Sequence, residues 1–567
     1  MPAYPDAANP DLLGLIPLTA RTVLDVGCGT GALGMAYRRL NPRARLLGIE
    51  VDSDAASIAA ERLDDVATVD VETDPLPFDA SDLDCVVYGD VLEHLREPWP
   101  VISHHAAALG RDGTLLICVP NVEHWSFIER LLRGTWDYDA AGLFDRTHLR
   151  WFSLDSMRRG LLAAGLVPYD VRPRIFNTER PQALHAALLP ALRSLGIDDA
   201  DFLRRTAPLQ FVWRVRRAAP RVVALGASML APVGGVSHVR VMHPLQAMAT
   251  VPGVIAQIAT PADLSPIGAE TPRIYILHRP VLTGEPGLAV IRRLLQSGWL
   301  IVTEFDDHPD YFLSQSGADQ HAFSGVHAVQ TSSPVLADIL RVRNPEVKVF
   351  PNAIHVLPDI DNFADLPAMT LFFGALNRKQ DWEPLMPTLN HVASMAGDRL
   401  RFCVVHDEAF FDALETPHKT FTPVCDYDTY LGLLGQCEIS LMPLQDNAFN
   451  RAKSDLKFIE AGACGTVALA SHIVYSRSIR HGQTGLLFGD ADDLRAQLLR
   501  LLAMPDLAIT IANAARAYVA EERMLAYQVA KRLAWYNDLW SRRAELTAEL
   551  HRRLAARAPV PSTPGPE

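Results

Sequence analysis

From about residue 20 to about residue 500, short apolar runs of strand length alternate with amphipathic stretches of helix length. This alternation constrains the fold more than any other feature, because strands separated by helices pair in parallel, with helices covering both faces of the sheet. It restarts twice. One series begins at TVLDVG and continues through RLLGIE, CVVYGD and TLLICVP; a second begins at RVVALG, followed by VIAQIAT, IYILHR, LIVTEFDD and VKVFPNAI; a third begins at TLFFGAL, followed by LRFCVVHD, ISLMPL and TVALAS. Each restart follows a polar or Pro-bearing link, RRAAPR at 216–221 and LPDIDNFADLP at 357–367. Three doubly wound α/β units are expected, and 567 residues are too many for one core.

After residue 500 the chain reads as helical, with Leu525, Val529, Leu533, Tyr536 and Leu539 at helical spacing, and it ends in the Pro-rich APVPSTPGPE, expected to be disordered. The basic stretch SRRAELTAELHRRLAAR reads as a solvated helix face, with peripheral contact to an anionic membrane as the alternative. A net charge of −13 argues against a general nucleic-acid binder, since phosphate binding is driven by Lys and Arg. Seven scattered cysteines without a CxxC pair fit a reducing compartment. The opening MPAYPDAANPDLLGL lacks a basic n-region and apolar core, and no run reaches transmembrane length, so a cytoplasmic location is expected.

In LDVGCGTGALG, Asp25 ends a strand and glycines at 27, 29, 31 and 34 lead into a helix, where backbone can approach a ligand closely. The next strand ends in Glu50, an acid suited to a ribose diol. With Asp70 in TVDVE, YGDVLEHL at 88–95 and RTHLRWFS at 146–153, residues 10–215 resemble the class I S-adenosylmethionine-dependent methyltransferases, with a Rossmann-like fold. The resemblance implies S-adenosylmethionine as cofactor, with Asp25 and the loop Gly27, Gly29, Gly31 at the methionine moiety, Glu50 at the ribose, Asp70 and Val71 at the adenine edge, and Asp90 where donor faces acceptor. His94 and His148 are candidate bases for a hydroxyl acceptor, and each also reads as a structural histidine.

The second unit opens with a strand and a long loop holding Gly234 and Gly235, whose N–H groups suit an anion or simply turn the chain into a helix. In the third, Arg378 and Lys379 follow the first strand, and RAKSDLKFIEAGACGTVALAS reads as a helix N-capped by Ser454, with Asp455 in its first turn and Glu460 bordering its buried face. Glu460 is either a partner for Lys457 or a carboxylate for ligand hydroxyls. These features and GQTGLLF at 482–488 resemble the family-four retaining glycosyltransferases of GT-B fold over residues 218–545. That resemblance implies a nucleotide-diphosphate sugar as co-substrate, Gly235, Arg378, Lys379 and Lys453 at the donor, and Glu460 on the nucleotide ribose. The family commonly has a second glutamate eight positions before Glu460; here Ala452 stands there, flanked by Lys453 and Asp455. Asp306, Asp307, His308 and Asp310 in TEFDDHPDY read as acceptor contacts or packing, and no metal ligands are assigned.

The expected layout is a methyltransferase domain at 1–215, acceptor and donor GT-B domains at 216–360 and 361–520, a crossing helix at 521–545 and a helical or disordered tail at 546–567. The expected function is bifunctional, transferring methyl and sugar groups to a glycan or small-molecule acceptor in bacterial surface glycan synthesis. The alternative is an active methyltransferase carrying a degenerate sugar-nucleotide-binding or docking module.

Overall fold

A computed structural model describes residues 6–78, 82–232, 235–260, 263–264, 268, 270–313 and 320–555; Gly234 and the Pro-rich tail lie outside the described residues. The chain divides into two compact units, Met1–Arg221 with Thr250–Gly253, and Val222–Ala249 with Val254–Glu567.

The first unit holds a seven-stranded sheet of β1 (Thr22–Val26), β2 (Arg45–Glu50), β3 (Asp65–Thr68), β4 (Leu83–Gly89), β5 (Leu109–Pro120), β6 (Val167–Arg174) and β7 (Gln210–Arg216). Its order is β3-β2-β1-β4-β5-β7-β6. β1 to β5 pair in parallel, and β7 runs antiparallel between β5 and β6. Leu24, Val26, Ile49, Val86, Leu115, Ile117 and Trp213 form its core. The interior strands read as continuous apolar runs because both faces are covered. β3, β6 and β7 are additions to the expected series; β3 and β6 stand at the edges, only partly buried, so their sequences lack that signature.

The second unit contains two all-parallel sheets. One comprises β8 (Val223–Ser228), β9 (Val254–Ile258), β10 (Arg273–His278), β11 (Leu300–Glu304), β12 (Ala328–Thr331) and β13 (Val347–Val349), in the order β13-β12-β11-β10-β8-β9. The other comprises β14 (Met369–Gly374), β15 (Leu400–Val405), β16 (Lys419–Thr422), β17 (Ile439–Met442), β18 (Val467–Ser471) and β19 (Leu486–Phe488), in the order β16-β15-β14-β17-β18-β19. Two such lobes joined by a helix that returns to the first are the GT-B arrangement. The helix Pro505–Glu522 packs on the second of these lobes, against the helix Leu456–Ala463 and β18. The chain then breaks, and Ala526–Ser541 packs against the helix His243–Ala249 and β10 of the other lobe. At the crossing, the Ile354 N–H donates to the Arg523 carbonyl at 2.9 Å and the Leu525 N–H donates to the Ile354 carbonyl at 2.8 Å. No single helix among the described residues is long and apolar enough to cross a membrane.

One local expectation needs correction, and one buried residue stands outside the apolar spacing. Leu533 is only half-buried on the crossing helix, whereas Arg532 is 1% exposed. Its guanidinium stacks over Phe350, 4.4 Å from the ring centre, and Tyr536 beside it donates to Gln330 at 2.8 Å. Ser454 is not the N-cap of its helix. Asp455 holds that position, and Ser454 Oγ instead accepts from Asn352 Nδ2 at 2.8 Å.

Arg240 and Glu304 form a buried ion pair, with contacts of 2.9 and 3.0 Å. Arg240 also donates to the Phe350 carbonyl and to Asn352 Oδ1, both at 2.8 Å, and Glu304 accepts from Gln330 Nε2 at 2.8 Å. Breaking such a pair strands the partner charge, so Glu304→Ala is expected to destabilise the GT-B unit by about 3–5 kcal/mol. Denaturant unfolding followed by near-UV circular dichroism checks this; a loss below ~1 kcal/mol would show that the network is not holding the lobe together.

Candidate functional sites

In the first unit, Asp25 sits at the end of β1 and is 7% exposed. Burial and the nearby charge of Glu50 push its carboxyl up to about 7. Gly27, Gly29 and Gly31 all have positive φ (69°, 54° and 78°), which only glycine adopts without strain. Glu50, at the end of β2, accepts from the N–H groups of Gly29 (2.8 Å), Val51 (2.9 Å) and Asp52 (3.0 Å). The acid therefore also fixes the glycine loop against β2. Asp70 is exposed two residues beyond β3, its Oδ1 accepting from the Glu72 N–H at 2.9 Å, and Val71 is half-buried. Asp90 follows β4 with φ 59° and accepts from Gln210.

His94 and His148 are neighbours, their ring centres 4.9 Å apart at an interplanar angle of 65°. Beside them lies Glu93, 1% exposed, which the sequence does not single out. Glu93 lies in the middle of the short 3-10 turn Leu92–His94, and its carbonyl accepts the Leu149 and Arg150 N–H groups at 2.7 and 3.0 Å, joining the two segments.

The second unit has a cleft of about 300 Å³ lined by residues of both lobes. Of the expected donor residues, Gly235, Arg378, Lys453 and Glu460 line it. Lys379 does not: its side chain is 64% exposed and lies 3.5 Å from Glu383. Arg378 donates to Asn450 Oδ1 at 2.9 Å and lies 3.3 Å from Asp381. Lys453 pairs with Asp307 at 2.8 Å and sits over the Phe449 ring. Gly235 faces Tyr427 so closely that a Cβ there would lie 2.5 Å from the ring.

Glu460 is 3% exposed and accepts from the Tyr427 hydroxyl at 2.7 Å. Burial pushes its carboxyl up to about 7, opposed by the Lys457 charge and the tyrosine hydrogen bond. Lys457 makes its hydrogen bonds to the Gly374 carbonyl and the Tyr430 hydroxyl, and burial lowers its ammonium to about 8. Tyr427, Tyr430 and Lys457 surround the carboxylate, yet only Lys457 was visible in sequence as a neighbour of Glu460. The two tyrosines lie some thirty positions away and carry no local signal.

In TEFDDHPDY the carboxylates face cations. Asp306 is held by Arg279 at 2.7 and 3.0 Å, and against the effect of burial this keeps its carboxyl well below the usual range. Asp307 pairs with Lys453, and Asp310 pairs with Arg343. Asp455 is bound at 2.6 and 2.9 Å by Arg523 and also accepts from Ser478. Ala452 is 1% exposed and packs into the apolar cluster of the β8–β13 lobe.

Gly27 is the sharpest test of the glycine loop. An added Cβ would meet Val91 at 2.5 Å, at a φ that disfavours any side chain. Gly27→Ala is expected to lower the stability of the first unit by about 1–3 kcal/mol, read as a lower melting temperature, and an unchanged melting temperature would show that the loop relaxes freely.

A family model described as a methyltransferase domain matches residues 24–115, and one described as glycosyl transferases group 1 matches residues 368–504. Among curated relatives, the chain is 33% identical over 104 residues to a ribosomal protein L11 methyltransferase of Aeromonas hydrophila subsp. hydrophila, covering 18% of this chain and 34% of that one. It is 27% identical over 141 residues to a ubiquinone biosynthesis O-methyltransferase of Paracidovorax citrulli, covering 22% and 58%. The chain thus spans between a third and three fifths of these relatives. Among solved structures, the sucrose-phosphate synthase of Thermosynechococcus elongatus matches with 16% identity and a TM-score of 0.40, covering 56% of this chain and 99% of that one. The chain carries a methyltransferase domain followed by a glycosyl transferases group 1 domain of GT-B type.

Proposed function

We propose that the protein is a bifunctional enzyme. Residues 1–215 transfer a methyl group from S-adenosylmethionine. Residues 216–360 and 361–520, with the crossing segment 521–545 and the tail 546–567, transfer a sugar from a nucleotide-diphosphate donor. The observation that carries the reading is the convergence of Gly235, Arg378, Lys453 and Glu460 on one interlobe cleft. Departure of a nucleoside diphosphate from the anomeric carbon needs positive charge around the leaving group. Arg378 and Lys453 supply it, and the first turn of the helix Leu456–Ala463 also lines the cleft, with its N–H groups favouring an anion. Lys379 belongs at most to the rim. Glu460 receives the ribose hydroxyls, with Tyr427 orienting it.

In the methyltransferase half, Asp25, Gly27, Gly29, Gly31, Glu50, Asp70 and Val71 bind the cofactor, and Asp90, His94 and His148 form the acceptor side. In-line approach of the acceptor to the sulfonium methyl is the main requirement. A bacterial surface glycan, made in the cytoplasm, is an acceptor that suits both transfers.

A second reading has one observation in its favour: Ala452, buried among apolar side chains, leaves the transferred sugar without a carboxylate at that position. The GT-B half is then a binding module. Donor hydrolysis across a panel of nucleotide sugars separates the two: turnover that falls at least ~100-fold in Arg378→Ala and Glu460→Ala supports transfer. Binding without turnover for every donor supports the module. Mass spectrometry of surface glycans from cells with and without the gene tests the pathway, which fails if neither a sugar nor a methyl group is lost.

Ribose hydroxyls donate to an ionised Glu460, so the bound state favours the carboxylate and nucleotide affinity falls as pH drops below about 7. The fall approaches ~tenfold per pH unit below that pKa. Tyr427→Phe removes a donor that lowers the Glu460 pKa and moves the onset to higher pH, while Glu460→Gln abolishes this component. Nucleoside diphosphate titrations by calorimetry from pH 5.5 to 8.5 measure all three; identical profiles for wild type and Glu460→Gln would remove Glu460 from the ribose.

A further inference from the structure

Glu93, His94 and His148 come from two segments more than fifty residues apart, yet one ligand atom from each lies within 4.8 Å of the others. Glu93 is 1% exposed, and neither of its carboxylate oxygens accepts a hydrogen bond from another described residue. A buried carboxylate without a partner is expensive, and it is normally paired or coordinated to a cation.

The hydrogen bonds of the two histidines suit ligation. His148 Nδ1 lies 3.2 Å from the Leu143 carbonyl, and His94 Nδ1 lies 3.3 Å from the Thr147 carbonyl. A carbonyl oxygen only accepts, and Thr147 Oγ1, 3.1 Å from His94 Nδ1, gives its own proton to Asp145, so each Nδ1 is assigned the proton and each Nε2 keeps its lone pair. Such outer hydrogen bonds fix the tautomer and ring orientation of ligating histidines. Thr147 is in turn held by Asp145, through Oγ1 at 2.7 Å and N–H at 2.8 Å.

We propose that Glu93, His94 and His148 bind a divalent first-row transition cation whose open positions take a hydroxyl oxygen of the methyl acceptor. The inference rests on the methyltransferase reading for its role, but not for its ligands. Two imidazoles and one carboxylate favour zinc, cobalt or manganese over magnesium or calcium, which prefer all-oxygen sites. Donors stand about 2.0–2.2 Å from such an ion, so the His148 loop closes slightly on binding. A coordinated hydroxyl ionises more readily than a free one. The acceptor O–H releases its proton to solvent, and the oxygen lone pair forms the O–CH3 bond. The methyl–sulfur bond breaks with its electron pair going to sulfur, so the sulfonium becomes a neutral thioether and one proton is released. The acceptor class is therefore a hydroxyl compound, with a vicinal diol able to fill two open positions.

The test titrates the EDTA-treated full chain with Co2+, following visible d–d absorption, and in parallel measures S-adenosylhomocysteine binding by calorimetry. One equivalent of Co2+ is expected to give a band that Zn2+ displaces and Mg2+ does not. Glu93→Gln and His148→Asn are each expected to weaken Co2+ binding at least ~tenfold while leaving S-adenosylhomocysteine affinity within about twofold. His148→Asn, on a partly exposed loop, keeps the test valid should the buried Glu93 variant fail to fold. Absence of the band in wild type, or Co2+ affinity unchanged in His148→Asn, would overturn the site. Co2+ binding at these residues without S-adenosylhomocysteine binding would uphold the cation site and remove the methyltransferase reading instead.

Discussion

The GT-B unit is organised around one buried guanidinium. Arg240 lies in a π-helical turn, His238–Met242, and joins Glu304 at the end of β11, the Phe350 carbonyl and the Asn352 side chain. Glu304 passes the connection to Gln330 on β12, and Gln330 passes it to Tyr536 on the crossing helix. Asn352 carries it in the other direction, to Ser454 at the cleft. Burying charges is costly unless geometry and hydrogen bonds are complete. Here the carboxylate accepts from three nitrogens and the guanidinium has four acceptor oxygens, so the network specifies where the β8–β13 lobe, the linker and the returning helix meet.

The methyltransferase half uses a smaller version of the same device. Glu50 is the residue expected to meet a ribose, yet its carboxylate already accepts three backbone N–H groups, one of them from Gly29 in the loop. It therefore sets the shape of the loop before any ligand arrives. A carboxylate that both builds a pocket and borders it offers preorganised charge, which costs nothing further on binding.

Much of the architecture was legible because parallel sheets covered on both faces write themselves as apolar runs. β1, β2, β4, β8, β14 and β18 are such runs. Edge strands were harder to read, since β16 and β3 are only partly buried; the interior β12 was hidden for another reason, the polar Gln330, whose buried side chain is satisfied by Glu304 and Tyr536. Residue patterns also identified the glycine loops and Glu460, since their signals are local. Tyr427, Asn450 and Glu93 were missed because their significance lies in neighbours distant in sequence. The misplaced helix cap has the same origin: Ser454 looks like a cap from sequence, but tertiary partners claim its hydroxyl and leave Asp455 to begin the helix beside Arg523.

The two chain crossings between the lobes run side by side and are hydrogen-bonded to each other through Ile354, Arg523 and Leu525. Mechanically they behave as one pin. Sliding one crossing past the other would have to break both bonds. Arg523 sits on this pin and grips Asp455, the N-cap of the helix that carries Glu460. Any displacement of the crossing therefore acts on the start of the helix whose first turn lines the cleft.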